Sequence, residues 1–296
     1  MVRAAPATKA EKARKIHIPS GGGLLQDRAV LVHLKVSCME LQIKDKRGAK
    51  SLKDDFGADE SMVSGLKTLF KSEDFDNYRK TYWEMRTIHL NMTSPWLDGG
   101  IRILPTAFYD DYQTKEQALK QDADMYVKRL AKSYDTIKMQ SKEFLGSLYE
   151  EKDWPSKEAF GRKFGVSIRF MPIPRAEDFR LNHGAESLLD ELADSVKLDV
   201  WTRIAAMMER VKNALGGDGK VTKKMIADLR ELSDLLPGLN ITGDPKVQKV
   251  ANDIQQSFKN VVDQDSLKDK DLRAQSLEAA TKFSDAAAGF LKAFED

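Results

Sequence analysis

A single cysteine, Cys38, occurs in 296 residues, so an intrachain disulfide is impossible and a reducing compartment is expected. The four histidines (His17, His33, His89, His183) are scattered, and with one cysteine they offer no ligand set for structural zinc. No run of about 18 apolar residues occurs, so no membrane span is expected. The N-terminal stretch M-V-R-A-A-P-A-T-K-A-E-K-A-R-K lacks the apolar core of a secretory signal. A net charge of +2 gives no global field that would select polyanions.

Glycine clusters only at Gly21-Gly22-Gly23 and at Gly216-Gly217-Asp218-Gly219. Neither supplies the phosphate-cradling spacing of a P-loop or a dinucleotide fold, so no nucleotide cofactor is expected. Asp263-x-Asp265 and the stretch after Asp218 imitate calcium loops but lack the glycine or the bidentate Glu that Ca²⁺ coordination needs. No G-x-S-x-G elbow marks a Ser-His-Asp hydrolase. The acid pairs Asp54/Asp55 and Asp110/Asp111 are the solvated carboxylates common on surfaces. The expectation is a protein without catalytic, metal or cofactor residues.

What is present is helical patterning. With 41% hydrophobic and 32% charged residues, the chain reads as a helix-rich globular protein. Residues 1–23 form a basic arm with Arg3, Lys9, Lys12, Arg14 and Lys15 against the single acid Glu11. Too little apolar surface is present there to offset the entropy of ordering, so disorder is expected. From Ala29 to Ile43, Val30, Val32, Leu34, Val36 and Cys38 share one parity, which predicts a strand with Cys38 on its buried face. A turn over Lys44–Lys50 and a polar stretch follow. Residues 61–91 read as helix in two pieces, stopped at Ser94-Pro95. Trp96, Phe108, Tyr109 and Tyr112 then fall in a long aromatic loop, which in a compact domain is either functional or packed.

A long helix is predicted from Lys115 to Tyr149, its seam carried by Leu119, Ala123, Tyr126, Leu130, Tyr134, Ile137, Phe144 and Leu148, with Ser141 interrupting it. Ser156 is placed to cap a short helix ending at Gly165. Val166, Ile168 and Phe170 alternate into a second strand that Pro172 and Pro174 end. Two strands alone are marginal, so this one is expected to pair with the 29–43 strand. Leu188 to Leu215 marks a helix of about thirty residues at regular three-four spacing. Met225 to Leu236 marks a shorter one stopped by Pro237-Gly238, and Asp244-Pro245 opens another. A last helix is expected to bury Leu272, Ala279, Phe283, Ala287, Phe290 and Phe294.

The fold class read from this pattern is α+β, predominantly helical: long antiparallel helices with a small antiparallel β element at about 29–43 and 165–173. The expected division is a disordered basic arm (1–23), a helical α+β domain (24–216) and a C-terminal helical segment (220–296).

Three segments carry a resemblance: W-L-D-G-G-I-R-I-L-P (residues 96–105), D-W-P-S-K-E-A-F-G-R-K-F (153–164) and M-P-I-P-R-A-E-D-F-R (171–180). Across residues 29–215 the chain resembles an uncharacterised family of phages and bacterial mobile elements, encoded near MoxR-like AAA+ ATPases and von Willebrand A-domain proteins. The resemblance implies a non-catalytic accessory or assembly partner of an AAA+ ATPase or DNA-metabolism system, in the host cytoplasm if phage-encoded. It transfers no site residues. On this reading the long helical seams bind a protein partner or a second copy. The alternative is a single-stranded nucleic-acid-binding or recombination accessory. Lys9, Lys12, Arg14 and Lys15 would contact phosphates and Trp96, Phe108, Tyr109 and Tyr112 would stack bases. Asp98, Asp110 and Asp111 would oppose that contact, and aromatic loop residues are more often core anchors.

Overall fold

The computed structural model describes residues 25–57, 59, 62–96, 100–174, 185–216 and 220–295. The basic arm with Lys9, Lys12, Arg14 and Lys15, the stretch 175–184 and the turn at 217–219 lie outside the described residues. In chain order the elements are α1 (Leu25–Arg28), β1 (Ala29–Ser37), β2 (Gln42–Lys44), α2 (Lys46–Phe56), β3 (Leu66–Thr68), α3 (Glu73–Met92), β4 (Ser94–Pro95), β5 (Ile101–Pro105), α4 (Tyr109–Lys132), α5 (Tyr134–Leu145), α6 (Lys157–Gly161), β6 (Gly165–Met171), α7 (Ala185–Gly216), α8 (Lys223–Leu239), α9 (Pro245–Phe258) and α10 (Lys270–Glu295). The fold is α+β and predominantly helical, as the patterning implies. One sheet has the order β4-β5-β1-β6, so the 165–171 strand does lie beside β1; β2 and β3 form a separate antiparallel pair.

The chain forms two compact units. Of the described residues, one comprises those within 25–31, 91–109 and 171–295, the other those within 32–90 and 110–170. The Gly-rich turn at 216–219 therefore does not separate them: α7 and α8, on either side of it, belong to the same unit, in which α10 packs along α7.

In the first unit, α7 buries Leu192, Val196, Val200, Ile204, Met208 and Leu215, the stripe its spacing predicts. α10 meets it with small residues. Ser276, Ala280, Ser284 and Ala287 are buried with Phe283, while Phe294 is exposed and Leu272 only partly covered, so the buried stripe differs from the expected one. Trp201 and Phe290 stack with ring centroids 4.8 Å apart. Asp244 caps α9 by accepting from the Lys246 amide at 2.7 Å. α8 does not stop at Pro237 but continues to Leu239. Proline cannot donate to the carbonyl four residues back, that of Ser233; the Gln255 side-chain amide donates to that oxygen instead, at 3.0 Å. The next residue needs to be glycine, because a Cβ at Gly238 would lie 2.2 Å from the Phe108 ring.

In the second unit, α2 replaces the expected turn and polar stretch. Asp45 accepts from the Arg47 and Gly48 amides at its start, and Gly57 closes it in the left-handed region at φ 63°. The anticipated first helical piece near residue 66 is β3, paired with β2. Lys67 of β3 is buried between Asp45 (3.1 Å) and Asp153 (2.7 Å) and also donates to the Leu148 carbonyl. Its desolvation is thus offset by two charges and a backbone acceptor. The long helix breaks at Ser133, whose hydroxyl donates back to the Arg129 carbonyl at 2.7 Å. Beyond the break Tyr134, Ile137 and Ser141 stay buried, so the seam runs through Ser141, whereas Phe144 is 84% exposed. Phe70, Phe75, Tyr134, Trp154, Phe160 and Phe164 form an aromatic core, most pairs tilted or edge-on.

The alternation expected along β1 is only partly kept. Ala29, Leu31 and Val32 are all buried, because β1 is an interior strand covered on both faces. Cys38 lies one residue past the strand end and is exposed, correcting its expected buried place. Where β1 and β6 meet α3, the buried Tyr78 hydroxyl donates to the Ser37 carbonyl at 2.6 Å and accepts from the Gly165 amide at 3.1 Å. Burial pushes this phenol up to about 12, so it remains a donor across the working pH range. Tyr78→Phe leaves both backbone groups short of a partner. A stability loss of about 1–3 kcal/mol is expected in urea unfolding; an unchanged midpoint would show that the hydroxyl holds nothing.

Candidate functional site

The four aromatic residues proposed as a stacking surface are not assembled into one. Residues 101–105 form β5, residues 106–108 a single 3-10 turn, and Tyr109 already begins α4. Phe108 is buried against Gly238, and Trp96 is partly buried against the Ala29, Leu31 and Ile103 cluster. Tyr109 is half-buried. Tyr112 is fully buried and belongs to the other unit. Phe108 and Tyr112 therefore have no free face to offer a base; both anchor cores.

Tyr112 leads to a polar cluster that the pattern conceals. Its hydroxyl and His89 Nδ1 of α3 are 2.7 Å apart, and its ring meets Phe170 edge-on. One turn along α4, Glu116 is fully buried with neither carboxylate oxygen hydrogen-bonded. A charge there has nothing to offset its desolvation, and burial pushes the carboxyl up to about 8. Burial also raises the Tyr112 phenol, with the Glu116 charge adding to the effect. Residues 112, 116, 119 and 123 share the three-four spacing of the α4 seam, which could have placed Glu116 inside. A glutamate in a seam nonetheless reads as an exposed residue. Tyr112 and Glu116 are closed to solvent, so the cluster can store a proton but offers no surface to a substrate. Among the described residues no group of three His, Cys, Asp or Glu side chains is placed to hold a metal ion.

Two features of the second unit do face solvent. A cleft of about 460 Å³ is bounded by the chain leaving β1, the approach to α3 and the first turns of α3, with Cys38, Leu41, Lys71, Phe75, Asp76 and Arg79 among its walls. Burial around the Cys38 sulfur pushes the thiol up, against the pull of the Arg79 guanidinium, so it is a weak nucleophile. Beyond Arg79 on α3, Trp83 is 53% exposed and Leu90 is exposed one heptad later. The Tyr82 ring lies 5.1 Å from Trp83, and the Arg86 guanidinium sits 5.8 Å over the indole. The buried positions Phe75, Tyr78 and Met85 define the inner face, and Trp83 falls off it.

Comparison with protein-family models, with curated proteins and with solved structures found no match.

The buried acid makes a pH-dependent prediction. The folded chain keeps a proton on Glu116 that the unfolded chain releases near pH 4.5, the ordinary carboxylate range. The stability tied to that proton is fully present below about pH 4.5 and is lost as pH rises towards 8. Glu116→Gln keeps the neutral shape without the titration. It should match the parent at pH 4 and become progressively more stable than it up to pH 8, by at most about tenfold in the folding equilibrium per pH unit. Parallel pH profiles in urea unfolding would contradict this.

Proposed function

We propose that this protein is a non-catalytic helical interaction protein, an accessory or assembly partner of an AAA+ ATPase or DNA-metabolism system. The observation that carries the reading is the set of large apolar side chains left in solvent on the second unit: Phe56, Trp83, Met139 and Phe144 are each more than half exposed. Aromatic side chains of this size bury large areas when they dock. The ionisable groups with perturbed chemistry give the complementary support. Glu116 and Tyr112 are sealed in the core, so neither is poised as a catalyst. The ATPase as partner is supported by the resemblance of residues 96–105, 153–164 and 171–180 to the phage and mobile-element family. No helix among the described residues is long and apolar enough to cross a membrane.

Sedimentation of the purified full chain, alone and mixed with a MoxR-like AAA+ ATPase encoded close to it, tests the proposal. The expected result is a heavier species that contains both proteins. A strict monomer whose sedimentation the ATPase leaves unchanged would overturn it.

A further inference from the structure

Two chain segments build the second unit, and three of their ends meet in one buried cluster. His89 lies at the end of the segment 32–90, Tyr112 at the start of the segment 110–170 and Phe170 at its end. Tyr112 joins the other two: its hydroxyl is 2.7 Å from His89 Nδ1, and its ring meets Phe170 edge-on at 6.1 Å. His89 stands in the last turn of α3 and Tyr112 in the first turn of α4. Element ends open at lower cost than element centres, since fewer hydrogen bonds and contacts are given up.

One turn further into α4 lies Glu116, with no exposed surface and no hydrogen bond at either carboxylate oxygen. The titratable groups gathered with it are Tyr112 on its own helix and His89 on α3, while β6 brings the uncharged Phe170 ring. The neighbouring lysines of α4, Lys115 and Lys120, turn to solvent and pair with Asp111 at 2.8 Å and Asp124 at 2.6 Å. Among the described residues no lysine or arginine bonds Glu116. Its carboxyl becomes charged by reaching water, because an isolated ion in an apolar core is costlier than a local opening. The route out is short. Releasing the first two turns of α4 hydrates Glu116, while Ala123 and Leu130 keep the rest of the helix in the aromatic core.

We propose that Tyr112, His89 and Glu116 form a pH-operated latch. While Glu116 is protonated, the first two turns of α4 are held against the last turn of α3; its ionisation releases them without unfolding the rest of the unit. Burial raises the carboxyl from 4.5 to about 8, which sets the window. The closed latch keeps a proton that the open one gives up near pH 4.5, the ordinary carboxylate range. Opening is therefore rarest below about pH 4.5, becomes about tenfold more frequent per pH unit above it, and levels off beyond about pH 8.

Hydrogen exchange of the full chain tests the latch, read by mass spectrometry from pH 6 to 9 and divided by the intrinsic rate at each pH. The amides of residues 113–120 bond back to the first two turns of α4 and report their release. Their openings are expected to be at least about tenfold more frequent than those of α5 and α6 and to change little in dilute urea, the marks of a local event. They should rise about a hundredfold between pH 6 and 8 and then level off. Glu116→Gln should remove that pH dependence. Tyr112→Phe, which cuts the bond to His89, should keep the slope and raise opening about threefold or more at every pH. Openings of 113–120 no more frequent than those of α5 and α6 would mean that Glu116 meets water only when the whole unit unfolds, and would overturn the latch. A flat profile in the parent chain, a slope that survives Glu116→Gln, or protection indifferent to Tyr112→Phe would overturn it too.

Discussion

The second unit depends on one buried hydroxyl. Tyr78 bonds the last residue of β1 and the first of β6 at once, at Ser37 and Gly165. Strand termini have backbone groups that no ladder satisfies, and leaving them buried without partners is costly. One phenol on α3 answers both needs and fixes which side of α3 faces inward. Phe75 and Met85 follow it into the core, and Phe164 packs edge-on against its ring at 5.5 Å. Arg79, Trp83, Arg86 and Leu90 of the same helix are left exposed.

The same core carries two ionic arrangements that illustrate opposite solutions to burying charge. Lys67 is buried with Asp45 and Asp153 on either side, and the bonds to Lys67 and Arg47 hold the Asp45 carboxyl well below the ordinary range against the opposing effect of burial. Glu116 has no such partners and remains a neutral acid instead. The first arrangement ties β3 to the turn before Trp154. The second fills a seam position between Tyr112 and Ala123 that a hydrophobic residue would ordinarily occupy, and the unit loses stability as pH rises from about 4.5 towards 8.

Elements with a local signature were legible in the sequence. Ser156 caps α6, Asp244 with Pro245 opens α9, and the stripe from Leu192 to Leu215 runs along one face of α7, because capping and periodicity act within a few residues. Elements decided by distant partners were not. Pro237 continues a helix because Gln255, 18 residues away from it, supplies the missing donor to Ser233. Residues 66–68 become a strand because β2 pairs with them and two acids neutralise Lys67. α2 has a good cap at Asp45 and an Ala49, Leu52, Phe56 stripe, but the charged residues filling the rest of it read as a turn and a polar stretch. At the candidate site, Trp83 stands out only once the inner face of α3 is known. The aromatic stretch from Trp96 to Tyr112 reads as a binding loop because ring content alone does not separate an anchor from a platform.

Helix α3 is thus held on one side by Tyr78 and carries Trp83 in solvent. Fluorine NMR of the full chain labelled with 5-fluorotryptophan tests it directly, since four tryptophans give four resonances and Trp83→Phe assigns the one that matters. Trp83 is expected to have the largest solvent isotope shift of the four, because Trp154 and Trp201 are buried and Trp96 is partly buried. A Trp83 resonance shielded from solvent would contradict it.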